Sequence, residues 1–361
     1  MRVRAARSGR GSRAGAWATS SRSEVSTGVD GSALPQTRSV ASYPARVTLG
    51  VVVTAADQNY VAQVCVMAHS LAKSQVHRLR LLVLGTGWNS ASLTDLRRAA
   101  GESIDVMLVE PDDPRTQNFS NSGYGFPPAA TYSVLAAGLE DLDGVERFVY
   151  MDADVLVMED LDPLFRMTLD QPVGAVVDAH VSLNGMPSMW RPWREELVDP
   201  MSPYLNTGVM VIDRERWMSA GITERVFDLL GRYDLPCVDQ DALNLVLGGS
   251  FHRLAPRWNL MPYHLMRLLR TSDLVERDVD IAEAITRPAV VHYHRSFLGK
   301  PWQIGCTHPA RAAWREVATK LGVGRRSLSV RDVVRNFGAS RVGMSVLDSR
   351  AAQLESLRIA D

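Results

Sequence analysis

Apolar and polar positions alternate in two rhythms from residue 47 onward. Residues 47–53 form a near-continuous apolar run, the pattern of a parallel strand covered on both faces. Residues 61–73 follow with Val61, Val64, Cys65, Met67, Ala68 and Leu71 at helical spacing. A strand is predicted at 79–84, a helix at 92–100 with Ser92 as N-cap, and a third strand at 104–109. Further along, the pattern gives a helix at 129–139 and an apolar strand at 147–151 that ends in an acidic turn. Strands at 175–177 and 208–212, a helix at 239–247 and a short β run at 289–292 complete the series. Strands alternating with helices predict an α/β fold with Rossmann-like connections around a parallel sheet.

Composition narrows the class. At 361 residues, 46% hydrophobic and 22% charged, the chain has the length and content of an ordinary globular protein with a buried core. Its net charge is zero, but eight arginines and only two acids fall within the first 48 residues. That balance gives no general reason to expect nucleic acid. Residues 1–45 read as a disordered basic leader, because the Arg-rich start lacks the apolar centre of a secretory signal. Residues 46–322 form the expected single domain, and residues 323–361 a polar tail with one amphipathic stretch at 347–359. No run approaches the 18 or so apolar residues of a membrane span, so no integral membrane segment is expected. Cys65, Cys237 and Cys306 are odd in number and widely spaced, which argues against a disulfide framework and for a reducing, cytoplasmic compartment.

The sharpest chemical signal is Phe148-Val-Tyr-Met-Asp152-Ala153-Asp154. An apolar strand delivers two carboxylates at i and i+2, a spacing that in extended backbone points both to one face. Two such groups can hold a hard divalent cation, and the C-terminal end of a strand is where open α/β sheets bind ligands. A haloacid-dehalogenase-like phosphatase also uses D-x-D, with the first Asp as nucleophile. That motif belongs on the first strand of its domain, however, and here about a hundred ordered residues precede it.

Four further stretches join this pair. They are Ala55-Ala-Asp57-Gln-Asn59-Tyr60, Tyr204-Leu-Asn206-Thr-Gly208, Asp239-Gln240-Asp241-Ala-Leu-Asn244 and Gly299-Lys300-Pro301-Trp302. In this order and at these separations, the chain resembles the retaining glycosyltransferases of family 8, the group of glycogenin and bacterial lipooligosaccharide galactosyltransferases. The resemblance runs from about Val47 to Trp302. It implies a GT-A type nucleotide-diphospho-sugar transferase domain with a mixed, mainly parallel central sheet. It also implies transfer of a sugar from a nucleotide diphosphate donor, UDP above all, to a small-molecule or glycan acceptor, with Mn2+ or Mg2+ as cofactor.

The resemblance assigns residues as well. Ala55, Asp57, Asn59 and Tyr60 would hold the nucleoside. Asp152, Ala153, Asp154 and Lys300 would meet the metal and the diphosphate, and Gln240, Asp239, Asp241 and Asn206 would face the reacting sugar. A histidine is the third metal ligand. Strand context selects His292, whereas spacing to Lys300 selects His294. One departure stands out. Family members often carry T-Y-x-R-L ahead of the D-x-D strand, but this chain has Thr131-Tyr132-Ser133-Val134-Leu135, with valine in place of the cation. A catalytically silent nucleotide-sugar binding protein is the remaining alternative that this substitution keeps open. The segment 179–203, with Trp190, Pro192, Trp193 and Met201, has the length of an acceptor-covering loop.

Overall fold

The structure, a computed structural model, describes residues 50–117, 127–178, 190–265, 279–296 and 298–323. The predicted leader, the stretch 347–359 and residues 179–189 of the expected acceptor loop lie outside these residues. So do the first three residues of the first predicted strand.

Nine strands are described: β1 (Gly50–Asp57), β2 (Leu79–Thr86), β3 (Ile104–Val109), β4 (Arg147–Met151), β5 (Val155–Val157), β6 (Val173–Val177), β7 (Leu205–Asp213), β8 (His252–Arg253) and β9 (Val290–His292). The described helices are α1 (Val61–Ser74), α2 (Ser90–Ala100), α3 (Tyr132–Leu135), α4 (Asp162–Arg166), α5 (Trp190–Glu195), α6 (Arg214–Ser219), α7 (Ile222–Arg232), α8 (Asp239–Leu247), α9 (Val279–Thr286) and α10 (Arg311–Leu321). None of them is long and apolar enough to cross a membrane.

Seven strands form one sheet in the order β3-β2-β1-β4-β7-β6-β8, and β5 pairs with β9 separately. Neighbours from β3 to β4 run parallel; β7 is antiparallel to both β4 and β6. The sheet is therefore mixed and mainly parallel, as expected. Alternation sorts each central strand onto two cores. Val51, Val53, Phe148, Tyr150, Met210 and Ile212 face one side with α3, α7 and α8. Val52, Val149, Met151, Val209 and Val211 face the other with α1 and α2. Burial on both faces explains why these strands read as unbroken apolar runs. A third cluster joins Leu156, Val291 and Tyr293 of the β5–β9 region to Trp314 of α10.

Three local expectations change. Asn89, not Ser92, caps α2: its side-chain oxygen accepts from the Ser92 N–H at 2.9 Å, so Ser92 lies inside the first turn. The predicted helix at 129–139 is a 3-10 turn (Pro128–Thr131), the short α3 and a second 3-10 turn (Ala136–Gly138). Proline enters and glycine leaves this segment, and tight 3-10 pieces fit such short spans better than one α-helix. Residues 214–232, which the pattern passed over, form α6 and α7.

Candidate active site

The site grows from a crossing between the two sheets. Strand β4 stops at Met151, and the chain turns through Asp152-Ala153-Asp154 into β5, which belongs to the other sheet. The acidic pair therefore lies in a turn rather than in the extended backbone expected from its spacing. Two backbone bonds pin the turn. The Asp152 N–H donates to the Gly208 carbonyl at 2.9 Å, and the Tyr293 N–H donates to the Asp154 carbonyl at 2.9 Å. Register Val155↔His292 in the β5–β9 pair then brings the histidine alongside.

Both carboxylates meet one nitrogen. His292 Nε2 lies 3.5 Å from Asp152 Oδ2 and 3.2 Å from Asp154 Oδ1. One ligand atom from each of Asp152, Asp154 and His292 falls within 4.8 Å of the others, and among the described residues only this group meets that condition. His292 is 2% exposed, and its Nε2 is buried without a hydrogen bond. A buried, orphaned imidazole nitrogen between two carboxylate oxygens is a donor set that fits a divalent cation such as manganese or magnesium. His294 stands beside this group without joining it. Its Nδ1 lies 3.0 Å from the Arg295 carbonyl oxygen, and its ring stacks on Tyr263 at 5.6 Å. Burial, then the charge of His292, lowers its pKa to about 3.

Lys300 ion-pairs directly with Asp154. Burial would raise the Asp154 carboxyl, but Lys300 and His292 together hold it well below the usual carboxylate range. Opposite, loss of solvent and the charge of Asp152 push Asp239 up to about 7, against a 2.8 Å hydrogen bond from the Ser133 hydroxyl.

The start of β7 and the first turn of α8 make a second wall. Gln240 Oε1 accepts from Asn206 Nδ2 (3.1 Å), the Thr207 N–H (3.1 Å) and the Thr207 hydroxyl (3.3 Å), and Gln240 Nε2 donates to the Tyr204 hydroxyl (3.3 Å). Asp241 is fully buried behind it. One of its oxygens accepts from Tyr204 Oη at 2.5 Å and the other from the Cys237 N–H at 2.6 Å. This residue, expected to face the sugar, thus has both oxygens engaged in bracing the wall. Asn244 acts like a strand partner, accepting from the Leu205 N–H (2.7 Å) and donating to the Leu205 carbonyl (3.0 Å). Val238, just before α8, has φ +44 and ψ −110, a costly backbone conformation for a β-branched residue at the entry to the motif.

The loop after β1 is simpler. Asp57 caps the turn Gln58–Tyr60 by accepting from the Asn59 N–H at 2.7 Å, and Asn59 Nδ2 donates back to it at 3.2 Å. Tyr60 meets Trp302 edge to face at 6.1 Å, and Lys300 Nζ lies 5.6 Å from the same indole ring. Ala55 lies within β1, and Ala153 is buried in the acidic turn.

Sequence reasoning passed over Ser133, Tyr150 (whose hydroxyl donates to Asp152 Oδ1 at 3.2 Å), Asp178 and Asn259. Asn259 carried a readable signal: it is a lone polar residue between Trp258 and Leu260, and it proves fully buried. Val134 is also buried in the apolar core, so the altered position contributes no charge to the site.

Comparison with known proteins agrees with this geometry. The family model for glycosyl transferase family 8 matches residues 51–305. General stress protein A of Bacillus subtilis (strain 168) is 30% identical over 272 residues, covering 72% of this chain and 90% of that protein. A lipopolysaccharide 1,2-glucosyltransferase of Escherichia coli (strain K12) is 24% identical over 268 residues, covering 70% of this chain and 73% of the relative. Among solved structures, the galactosyltransferase LgtC in complex with donor and acceptor sugar analogs superposes with a TM-score of 0.62. It is 24% identical and covers 79% of this chain and 99% of that one, a likeness of fold. With its matched region spanning every element of the site, the chain belongs to glycosyl transferase family 8 and is a glycosyltransferase that draws on a nucleotide-sugar donor.

Proposed function

We propose that this protein transfers a sugar, with retention of anomeric configuration, from a UDP-linked donor to a small-molecule or glycan acceptor, with manganese or magnesium at Asp152, Asp154 and His292. The observation that carries this reading is the orphaned His292 Nε2 facing two carboxylates, with Lys300 beside them. A divalent ion held there supplies charge neutralisation for the donor's diphosphate. Lys300 adds a second positive charge next to Asp154, and its ammonium suits phosphate as a point charge. Asp57, Asn59 and Tyr60, close to Trp302, offer hydrogen-bonding groups and a ring for the nucleoside. His294 is read as a neighbour of the metal group rather than a ligand. Three free cysteines suit a cytoplasmic setting.

The chemistry falls to Gln240, Asn206 and Asp239. Three donors occupy the Gln240 amide oxygen, so it is poorly suited to attack the anomeric carbon. Its role is to fix the wall against which the sugar rests, while the departing phosphate acts as base for the acceptor. Asp239, with a carboxyl near neutrality, offers oxygens to sugar hydroxyls. Val134 removes a cation from the donor pocket, which favours an uncharged and less polar donor sugar.

A panel of nucleotide sugars, incubated with manganese and followed by proton NMR, tests this reading. The expected result is slow donor hydrolysis for one or more UDP sugars, with the released sugar first appearing in the donor's anomeric configuration. Inverted product would overturn the mechanism, and free phosphate from a simple phosphoester without donor cleavage would overturn the transferase chemistry.

A further inference from the structure

Building on the metal site proposed above, we infer that Asn259 is a positioning residue that fixes the tautomer of His292, and that it is itself oriented by the β7 wall through a one-way chain of hydrogen bonds. The chain begins at a group that cannot reverse. The Gly208 backbone N–H can only donate, and it bonds Asn206 Oδ1 at 3.0 Å. On the other side of the same amide, Asn206 Nδ2 donates to Asp178 Oδ2 at 3.0 Å. Asn206 therefore has a single orientation, with its oxygen toward Gly208. Asn259 must then offer its amide nitrogen to that oxygen, at 2.8 Å. This turns Asn259 Oδ1 toward His292 Nδ1, 3.0 Å away. An oxygen can only accept, so Nδ1 carries a proton, and whenever the ring is neutral the lone pair is left to Nε2, on the side of Asp152 and Asp154.

The neighbouring packing supports the same purpose. A Cβ on Gly208 would stand 2.1 Å from His292 Cε1 and 2.4 Å from Nδ1. Gly208 thus lets the ring lie against the strand backbone while its N–H starts the chain. Asn206 also donates to Gln240. The residues that shape the sugar wall and the residue that directs the metal ligand consequently share one network. All of Asn206, Asn259 and His292 are buried, so water has little access to scramble the order.

The test uses manganese alone and compares Asn259→Leu, which has similar volume but no acceptor, with Asn259→Asp, which keeps the acceptor. Free manganese is read by electron paramagnetic resonance, without any donor. Asn259→Leu should weaken manganese binding roughly ten- to hundred-fold, the usual cost of losing the group that orients a metal-binding histidine. Asn259→Asp, which keeps the acceptor for Nδ1 but loses the donor to Asn206, should retain clearly more affinity than Asn259→Leu. A folded Asn259→Leu variant with parental affinity would overturn the inference. A second measurement covers failure of that variant to fold: nitrogen NMR of the neutral His292 ring in the unsubstituted, metal-free chain. The proton is expected on Nδ1; a neutral ring protonated on Nε2 would overturn the assignment. If the unsubstituted chain takes up no manganese, the metal reading fails, and the ring measurement still decides the role of Asn259.

Discussion

The two sides of the site are built differently. On the β1 side, Asp57, Asn59 and Tyr60 sit in a half-open loop, and the two hydrogen bonds between Asp57 and Asn59 join residues only two positions apart. On the β7 side, Asn206, Asp241, Asn244, Asn259 and His292 are buried, and their side-chain hydrogen bonds bridge residues 28 to 53 positions apart except at local contacts. The first side can change residue by residue at little cost to folding. The second holds its geometry through tertiary contacts, so a single change disturbs both the metal group and the sugar wall.

The largest expected effect of breaking this contrast is Gly208→Ala. The added methyl would overlap the His292 ring, so manganese binding and donor cleavage should fall by more than about a hundredfold while the far β1 loop is unaffected. Retention of parental manganese affinity would mean that the ring does not lie where it is described. Asp241→Ala comes next. It strands the Tyr204 hydroxyl and the Cys237 N–H in a buried position, a loss of about 3 kcal/mol in unfolding free energy at ~1–3 kcal/mol per orphaned group. Chemical denaturation would measure it, and a loss under about 1 kcal/mol would remove Asp241 from the brace.

A pH effect follows from His308, which is fully buried with its Nε2 unbonded, and burial lowers its pKa to about 3. Below the ordinary histidine value near 6.5, the unfolded chain binds a proton that the folded chain refuses. Stability from this group is therefore complete above that value and declines on acidification until about pH 3. At pH 5 the loss is about 2 kcal/mol. His308→Gln should flatten that part of the profile, and an unchanged slope between pH 7 and 5 would contradict the assignment. The smallest effect belongs to the β1 loop. Asn59→Ala should weaken UDP binding several-fold, about 1 kcal/mol, and leave the melting temperature within a degree or two. A large loss of stability there would erase the distinction between the two sides.

The same contrast explains what could be read from the sequence. The α/β class and the places of the central strands were legible because burial on both faces leaves long apolar runs, as in β1 and β4, but the order of the strands and the short β5 and β8 were not. The D-x-D, D-Q-D and K-P-W residues were legible as a set. Their detailed roles were not, since those depend on contacts across the fold. Asp241 looks like its neighbour Asp239 in sequence, yet one is sealed behind Tyr204 and the other lies within reach of Asp152's charge. The β5–β9 register sets His292 rather than His294 opposite Val155, next to the acidic pair, a placement that two residues of spacing could not supply. The turn at Ala153 likewise arises from a change of sheet that no local pattern announces.

Calorimetric titration of UDP into the full chain, with and without manganese, tests the central claim most directly when repeated on Asp154→Ala. The account predicts manganese-dependent UDP binding in the parent chain and its loss, with an intact fold, in the variant. Equal UDP affinity in the presence and absence of manganese, or full manganese-dependent binding by Asp154→Ala, would contradict it.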